Sequence, residues 1–184
     1  ASMAQFDDAA ENVVVVDSIS KRFSACGARV GILVSRNQEL MAQALKICQG
    51  RLCAATLDQI GAAALYGVGS DYFAAVREEY HKRRDTCMEG LAKIHGVVCE
   101  CPKGAFYIMA KLPVDDTDKF QTWLLEEFED NGETVMFAPG EGFYGTPGKG
   151  RDEIRLAYIL KQEDLRRAME VLAHGIEAYN ARKQ

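Results

Sequence analysis

The sequence predicts an α/β fold, and three observations carry that prediction. Val13 to Val16 is an unbroken β-branched run, long enough for a strand and too short for a helix. Segments with helical spacing alternate with further short apolar runs along the chain. The last helical segment is strongly amphipathic, with Leu165, Ala168, Met169, Leu172, Ile176 and Tyr179 on one face.

Taken in order, residues 12–17 read as a strand, and the valine run suggests one covered on both faces, as in a parallel sheet. Residues 18–28 are a polar, small-residue turn, and residues 29–35 a second strand. Asn37 is an N-cap for a helix to about Cys48, with Leu40, Met41, Ala44, Leu45 and Cys48 at helical spacing. Thr56 opens another helix through Leu57, Ile60, Ala64 and Leu65, ending near Gly67 or Gly69. From Ser70 a long helix of mixed charge runs through Tyr80, Cys87 and Leu91 to about Ile94, and is expected to bridge two domains. Strands at 97–101 and 105–111 flank the turn Pro102-Lys103-Gly104. A helix from Thr117 to about Asp130, a strand at 133–138, a Gly/Pro-rich loop at 139–150 and a strand at 153–160 lead to the final helix, Gln162 to about Arg182. Two domains are expected, 1–69 and 70–184.

Composition excludes several classes. The 184 residues are 48% hydrophobic and 27% charged, with a net charge of -5, which is ordinary globular composition. The one basic run, Lys82-Arg83-Arg84, is flanked by Glu78, Glu79 and Asp85, so it reads as a solvated helix face and not as a nucleic-acid surface. No stretch reaches the ~20 apolar residues of a membrane span. The six cysteines come without a secretory signal. Cys99-Glu100-Cys101 is too tight for a usual zinc pair, and His81, His95 and His174 are scattered. No metal is expected, and the cysteines read as reduced core residues of a cytoplasmic protein. Ala1-Ser2-Met3 reads as foreign to a natural start, and the strand that follows so soon needs neighbours, which marks the chain as a piece.

The chemistry concentrates in Asp17 to Gly31. A strand delivers Lys21 into a turn at its carboxyl end, the edge where α/β sheets bind ligands. A lysine partly desolvated there keeps a free amine for Schiff-base formation. Ser18 lies three residues before it and Arg29 eight after, a hydroxyl and a guanidinium suited to a phosphate dianion. Gly27 and Gly31 permit tight backbone around them. Taken alone, Lys21 reads as a surface lysine in a polar loop; the strand, Ser18, Arg29 and both glycines in order reverse that reading.

Ser18-x-Ser20-Lys21 followed by Gly27-x-Arg29-x-Gly31 resembles the lysine signature of class I/II aminotransferases, the fold-type I pyridoxal phosphate enzymes of the aspartate aminotransferase kind. The resemblance implies that Lys21 carries pyridoxal 5'-phosphate and that Ser18 and Arg29 bind its phosphate, with Ser20 matching many members. It continues through Lys103-Gly104-Ala105-Phe106-Tyr107, similar to the family's Gly-x-Phe strand near the substrate. Ala138-Pro139-Gly140 and Glu153-Ile154-Arg155-Leu156-Ala157-Tyr158 resemble its final strand pair, which makes Arg155 the ligand of the substrate α-carboxylate. An unpaired buried guanidinium in that strand is costly and calls for an anion, although a neighbouring acid would satisfy it too. Arg51 falls near an arginine that, in aspartate-type members, reaches into the neighbouring subunit for the distal carboxylate; the competing reading is a solvated helix-end arginine.

The fold class implied is thus α/β: part of a type I large pyridoxal phosphate-dependent transferase domain, plus a complete small C-terminal α/β domain. The implied reaction moves an amino group from an L-amino acid, aspartate favoured, to a 2-oxo acid, in a protein that is a homodimer at full length. The family's glycine turn, ring-stacking aromatic, pyridine-binding Asp, and the Asn and Tyr that contact the 3-oxygen belong to an amino-terminal half not seen here. The isolated chain is therefore expected to have little or no transaminase activity. A same-fold C–S lyase or amino-acid decarboxylase, or a non-enzymatic domain of this fold, would carry the same Lys21 and Arg155.

Overall fold

The computed structural model describes residues 2–182, and the chain divides into two compact units, Ala1–Ser70 and Asp71–Gln184. Ala1 lies outside the described residues. No helix among those described is long and apolar enough to cross a membrane.

In the first unit, two 3-10 turns (Met3–Gln5 and Asp7–Asn12) precede β1, Val14–Ser18. The short helix α1, Ile19–Arg22, and a 3-10 turn at Cys26–Ala28 lead to β2, Gly31–Ser35. The two strands pair antiparallel, from Val14 opposite Ser35 to Ser18 opposite Gly31, in a sheet of these two strands. This corrects the expectation of a strand covered on both faces. Val16 is 76% exposed, and Val14, Leu33 and Val34 are exposed as well. The physical reason is that a two-stranded ribbon can bury little on either face. Helix α2, Gln38–Arg51, starts where expected, with Asn37 Oδ1 accepting from the Leu40 N–H at 2.9 Å. It buries no residue, so its apolar Leu45 and Ile47 stay exposed. Helix α3, Thr56–Leu65, contributes Ala62 to a small core with Ile19, Phe23 and Val30.

The second unit is built more densely. Helix α4, Ser70–Leu91, buries Thr86, Cys87 and Leu91 near its carboxyl end. Strands β3 (Val98–Cys99), β4 (Tyr107–Lys111), β5 (Ala138–Pro139) and β6 (Glu153–Ala157) form a sheet in the order β3-β4-β6-β5, every pair antiparallel. Alternation along β4 and β6 sends Ile108, Ala110, Ile154 and Leu156 inward and leaves Tyr107, Met109, Lys111, Glu153 and Arg155 on the other face. The inward set packs with α5 (Thr117–Glu126) and α6 (Gln162–Ala181), through Phe120, Leu124, Leu165, Met169, Leu172 and Ile176.

Several elements are shorter than their patterns suggest, each for a local reason. Helix α5 ends at Glu126, where Glu127 leaves helical geometry and the Glu127 and Phe128 N–H groups both close on the Trp123 carbonyl, and a tight Asp130–Glu133 turn follows with Asn131 and Gly132 at positive φ. Residues 133–138 do alternate, with Val135 and Phe137 buried and Met136 exposed. However, the Phe137 N–H donates to Gln121 Oε1 at 2.7 Å and not to a strand. Ala105, at φ 59, delays β4 to Tyr107. The cysteines also depart from expectation: Cys87 is buried and Cys99 half-buried, but Cys26, Cys48, Cys53 and Cys101 are exposed. Cys26 sits in a surface turn and Cys48 on a helix that buries no residue, so neither is enclosed by a core.

Candidate active site

The two units supply different parts, and each is described on its own. In the first, α1 is set by its apolar residues. Ile19 and Phe23, one helical turn apart, enter the small core at 1% and 8% exposure. Lys21, midway between them, is thereby turned to the opposite, exposed side. This corrects the expectation of partial desolvation: the residues that anchor α1 lie beneath it, and the described residues of this unit do not enclose the lysine.

Ser18 caps α1. Its Oγ accepts from the Ser20 N–H at 3.1 Å and lies 2.8 Å from Ser20 Oγ and 3.3 Å from the Val30 carbonyl. The last contact, with the Ser18–Gly31 pairing, brings the lysine turn and the Arg29 segment to one end of the hairpin. Arg29 sits in the left-handed region at φ 54 and ψ 38, a conformation that costs a non-glycine residue roughly 1 kcal/mol or more. Its Nη1 donates to the Cys26 carbonyl at 2.9 Å, and the side chain is exposed. An ion pair not foreseen from the sequence braces the same turn: Arg22 Nη2 meets Asp17 Oδ2 at 2.7 Å, while Asp17 Oδ1 accepts from the Ser18 N–H. The donors gathered here, two adjacent hydroxyls and a guanidinium, fit a phosphate in chemistry. The fit that these donors support is to the phosphate end of a pyridoxal phosphate. Arg51 is the last residue of α2 and exposed, away from the lysine turn in sequence.

In the second unit, Arg155 occupies β6 opposite Met109 of β4. It is half-buried, not buried, and its surroundings are aromatic. The guanidinium carbon lies 4.4 Å from the centroid of Tyr107 and 4.4 Å from that of Phe143. The ion pairs among the described residues do not include it. Glu153, the carboxylate on the same face of the strand, accepts from Tyr144 Oη instead. Phe143 is not marked by the sequence reading, which places Tyr107 only as part of a strand near the substrate. The signal for Phe143 was present: an aromatic in a loop otherwise rich in glycine and proline, where it has no core to enter.

Comparison with known proteins gives these parts a family. The family model "Aminotransferase class I and II" matches residues 1–172. An aspartate aminotransferase of Bacillus subtilis is 29% identical across 97% of this chain and 45% of its own length. An LL-diaminopimelate aminotransferase of Nitratidesulfovibrio vulgaris is 32% identical across 84% of this chain and 39% of its own. The fold is matched by an α-aminoadipate aminotransferase of Thermus thermophilus, solved with N-(5'-phosphopyridoxyl)-L-leucine, at a TM-score of 0.81 and 24% identity over 97% of this chain and 45% of that one. An aromatic aminotransferase of Pyrococcus horikoshii gives 0.79 at 26% identity, over 97% of this chain and 47% of that one. The chain spans less than half the length of these relatives. It belongs to the class I and II aminotransferases, the fold-type I enzymes whose cofactor is pyridoxal phosphate.

Proposed function

We propose that this chain supplies the lysine and the carboxylate-binding arginine of a transaminase that moves an amino group from an L-amino acid, with aspartate the favoured donor, to a 2-oxo acid. The observation that carries the reading is the lysine turn. Ile19 and Phe23 anchor α1 so that Lys21 stands clear of the core, beside the hydroxyls of Ser18 and Ser20 and at the same end of the hairpin as Arg29.

Pyridoxal phosphate, when bound, supplies a carbonyl carbon for the amino group and a ring that withdraws electrons from the substrate α-carbon. Ser18, Ser20 and Arg29 are the residues that would hold its phosphate. Lys21 Nζ is the attachment point, and once displaced by substrate it would take the proton from the α-carbon and return it elsewhere, as base and then acid. Arg155 would hold the α-carboxylate, fixing which bond at the α-carbon is presented for cleavage. Arg51, at the end of α2, is the candidate for a distal carboxylate in a homodimer of the full-length protein.

The open surfaces of the first unit support a further part of the proposal. Val14, Val16, Leu33 and Val34 expose apolar area on the hairpin, and Leu45, Ile47, Leu57 and Ile60 do so on the helices. Such surface is expected to be covered by the remainder of a protein about twice this length. Taken alone, the 184-residue chain should therefore hold cofactor poorly and turn over little substrate.

Borohydride reduction in the presence of cofactor, followed by peptide mass mapping, tests both parts. In the full-length protein the label should fall on Lys21, and Lys21→Ala should remove it together with amino transfer. The isolated chain should take up little. Labelling at another lysine would defeat the site assignment, and stoichiometric labelling of the isolated chain would defeat the claim that this half is insufficient. A survey of amino donors on the full-length protein then tests the preference for aspartate.

A further inference from the structure

We propose that Phe143, together with Tyr107, is a positioning residue for Arg155: the two rings fix the plane in which the guanidinium offers its donors to a carboxylate. The inference rests on the reading of Arg155 as the ligand of the substrate α-carboxylate. It adds that affinity for that carboxylate depends on an aromatic residue that does not itself touch it.

A guanidinium donates in its own plane, as a rigid fork that matches two carboxylate oxygens. Both ring centroids lie 4.4 Å from the central carbon, and a ring stacked on a guanidinium face leaves the in-plane donors open to a carboxylate. Tyr107 comes from β4, two residues from the Met109 that pairs with Arg155, so the strand register sets its position. Phe143 comes from the loop between β5 and β6. Although 49% exposed, it is carried on a well-tied turn. The Gly140 N–H donates to the Glu153 carbonyl at 2.7 Å, the Phe143 N–H to the Gly140 carbonyl at 3.0 Å, and the Gly148 N–H to Glu141 Oε1 at 2.9 Å. The Tyr144 hydroxyl is bound to Glu153 on the arginine strand.

Two glycines let the loop close this far. A Cβ at Gly140 would lie 2.7 Å from the carbonyl oxygens of both Glu153 and Gly150, and one at Gly150, where φ is +76°, would lie 2.3 Å from the Tyr144 ring. The loop is thus folded down onto β6, and the aromatic it carries is spent on the arginine and not on a core. Tyr144 also engages Glu153, a carboxylate on the same face of β6 as Arg155. Holding a long side chain in its binding conformation in advance is worth roughly three- to tenfold in affinity.

The test uses the 184-residue chain labelled with ¹⁵N. The Arg155 Nε–Hε resonance is assigned by its loss in Arg155→Leu, and sodium propanoate is titrated at constant ionic strength. In the parent, ring currents should displace this resonance from the ordinary arginine position, and propanoate should move it along a saturable curve. Phe143→Leu should return the free resonance toward the ordinary position and weaken propanoate roughly three- to tenfold. Phe143→Tyr should restore both, and Tyr107→Leu should repeat the loss from the other ring. Unchanged affinity and resonance in Phe143→Leu would overturn the proposal while leaving the role of Arg155 intact. If propanoate leaves the parent resonance in place, the carboxylate assignment fails and the proposal falls with it, whatever the ring currents show.

Discussion

Helices α4 and α6 cross so closely at Gly90 that a single methyl group there should be felt by the whole second unit. A Cβ on Gly90 would lie 2.5 Å from both Cβ and Cγ of Met169, where carbon atoms in ordinary contact stand about 3.5–4.0 Å apart. The helices must part by about 1 Å, or Met169, which is 4% exposed, must leave its place. Overpacking of this kind costs about 1–3 kcal/mol. Alanine is the better helix former and returns about 0.8–1 kcal/mol. With 2.5 Å approaches to two atoms at once, the upper end of that cost applies, and the expected net loss for Gly90→Ala is about 2 kcal/mol, a urea midpoint lower by roughly 1 M with the slope unchanged. Fluorescence of Trp123, the sole tryptophan, reports on this core directly, since the ring stacks with Phe120. Gly175→Ala is the internal control. Its Cβ would meet Leu124 Cδ2 at 2.8 Å, a terminal methyl that can turn aside, so helix propensity should nearly offset the contact. A Gly90→Ala protein as stable as the parent, or an equal loss in both variants, would refute the packing argument.

Two further predictions concern titratable groups. Burial pushes the Asp116 carboxyl up, but the Lys119 N–H, and then the Arg151 guanidinium beside it, outweigh that and hold it below the usual range. A depressed carboxylate contributes stability that is present above its unfolded value and lost as pH falls toward its folded one. The urea midpoint of the second unit should therefore drop below about pH 4. Asp116→Asn, which keeps the helix-capping acceptor, should be less stable at neutral pH and lose less on acidification; identical pH profiles would contradict this. Asp130, lowered chiefly by its 2.7 Å contact with His174 and then by Arg167, acts in the same direction. The cysteines give a kinetic readout. Burial pushes the Cys87 thiol up to about 11, so a disulfide reagent at mild alkaline pH should modify Cys26, Cys48, Cys53 and Cys101 first. Cys87 should react only on unfolding, and early loss of its thiol would mean that α4 opens readily.

Local signals in the sequence were legible because they act over a few residues. Asn37 and the spacing after it marked α2, and the strand–turn–lysine order with Ser18 and Arg29 marked the candidate site. Exposure was not legible. The valine run has the composition of a strand buried on both sides, but composition records what a strand can be covered by and not which neighbours it has; here an antiparallel partner leaves Val16 open. The same applies to Lys21, whose degree of solvation depends on surfaces beyond its own turn. The environment of Arg155 was hidden for another reason. Its rings come from positions 107 and 143, and only the β4–β6 register and the folding-down of the loop bring them to it. Helix α5 showed the opposite failure: the expected helix stopped at about Asp130, just before Asn131-Gly132, whereas the chain leaves helical geometry at Glu127, where no glycine or proline marks the end.

The strand order of the second unit also bears on how it is made. The strand latest in sequence, β6, lies inside the sheet, between β4 and β5. A nascent chain that has emerged only as far as the Gly/Pro loop carries β4, paired with β3 alone, and β5, with no strand yet to join them. The sheet can close only when Glu153–Ala157 arrives and α6 packs behind it. Long-range pairing of this kind is slow and leaves strand edges open while it waits. During synthesis this unit should thus resist folding piecemeal, and a ribosome stalled before residue 153 would hold a chain ready for chaperone capture.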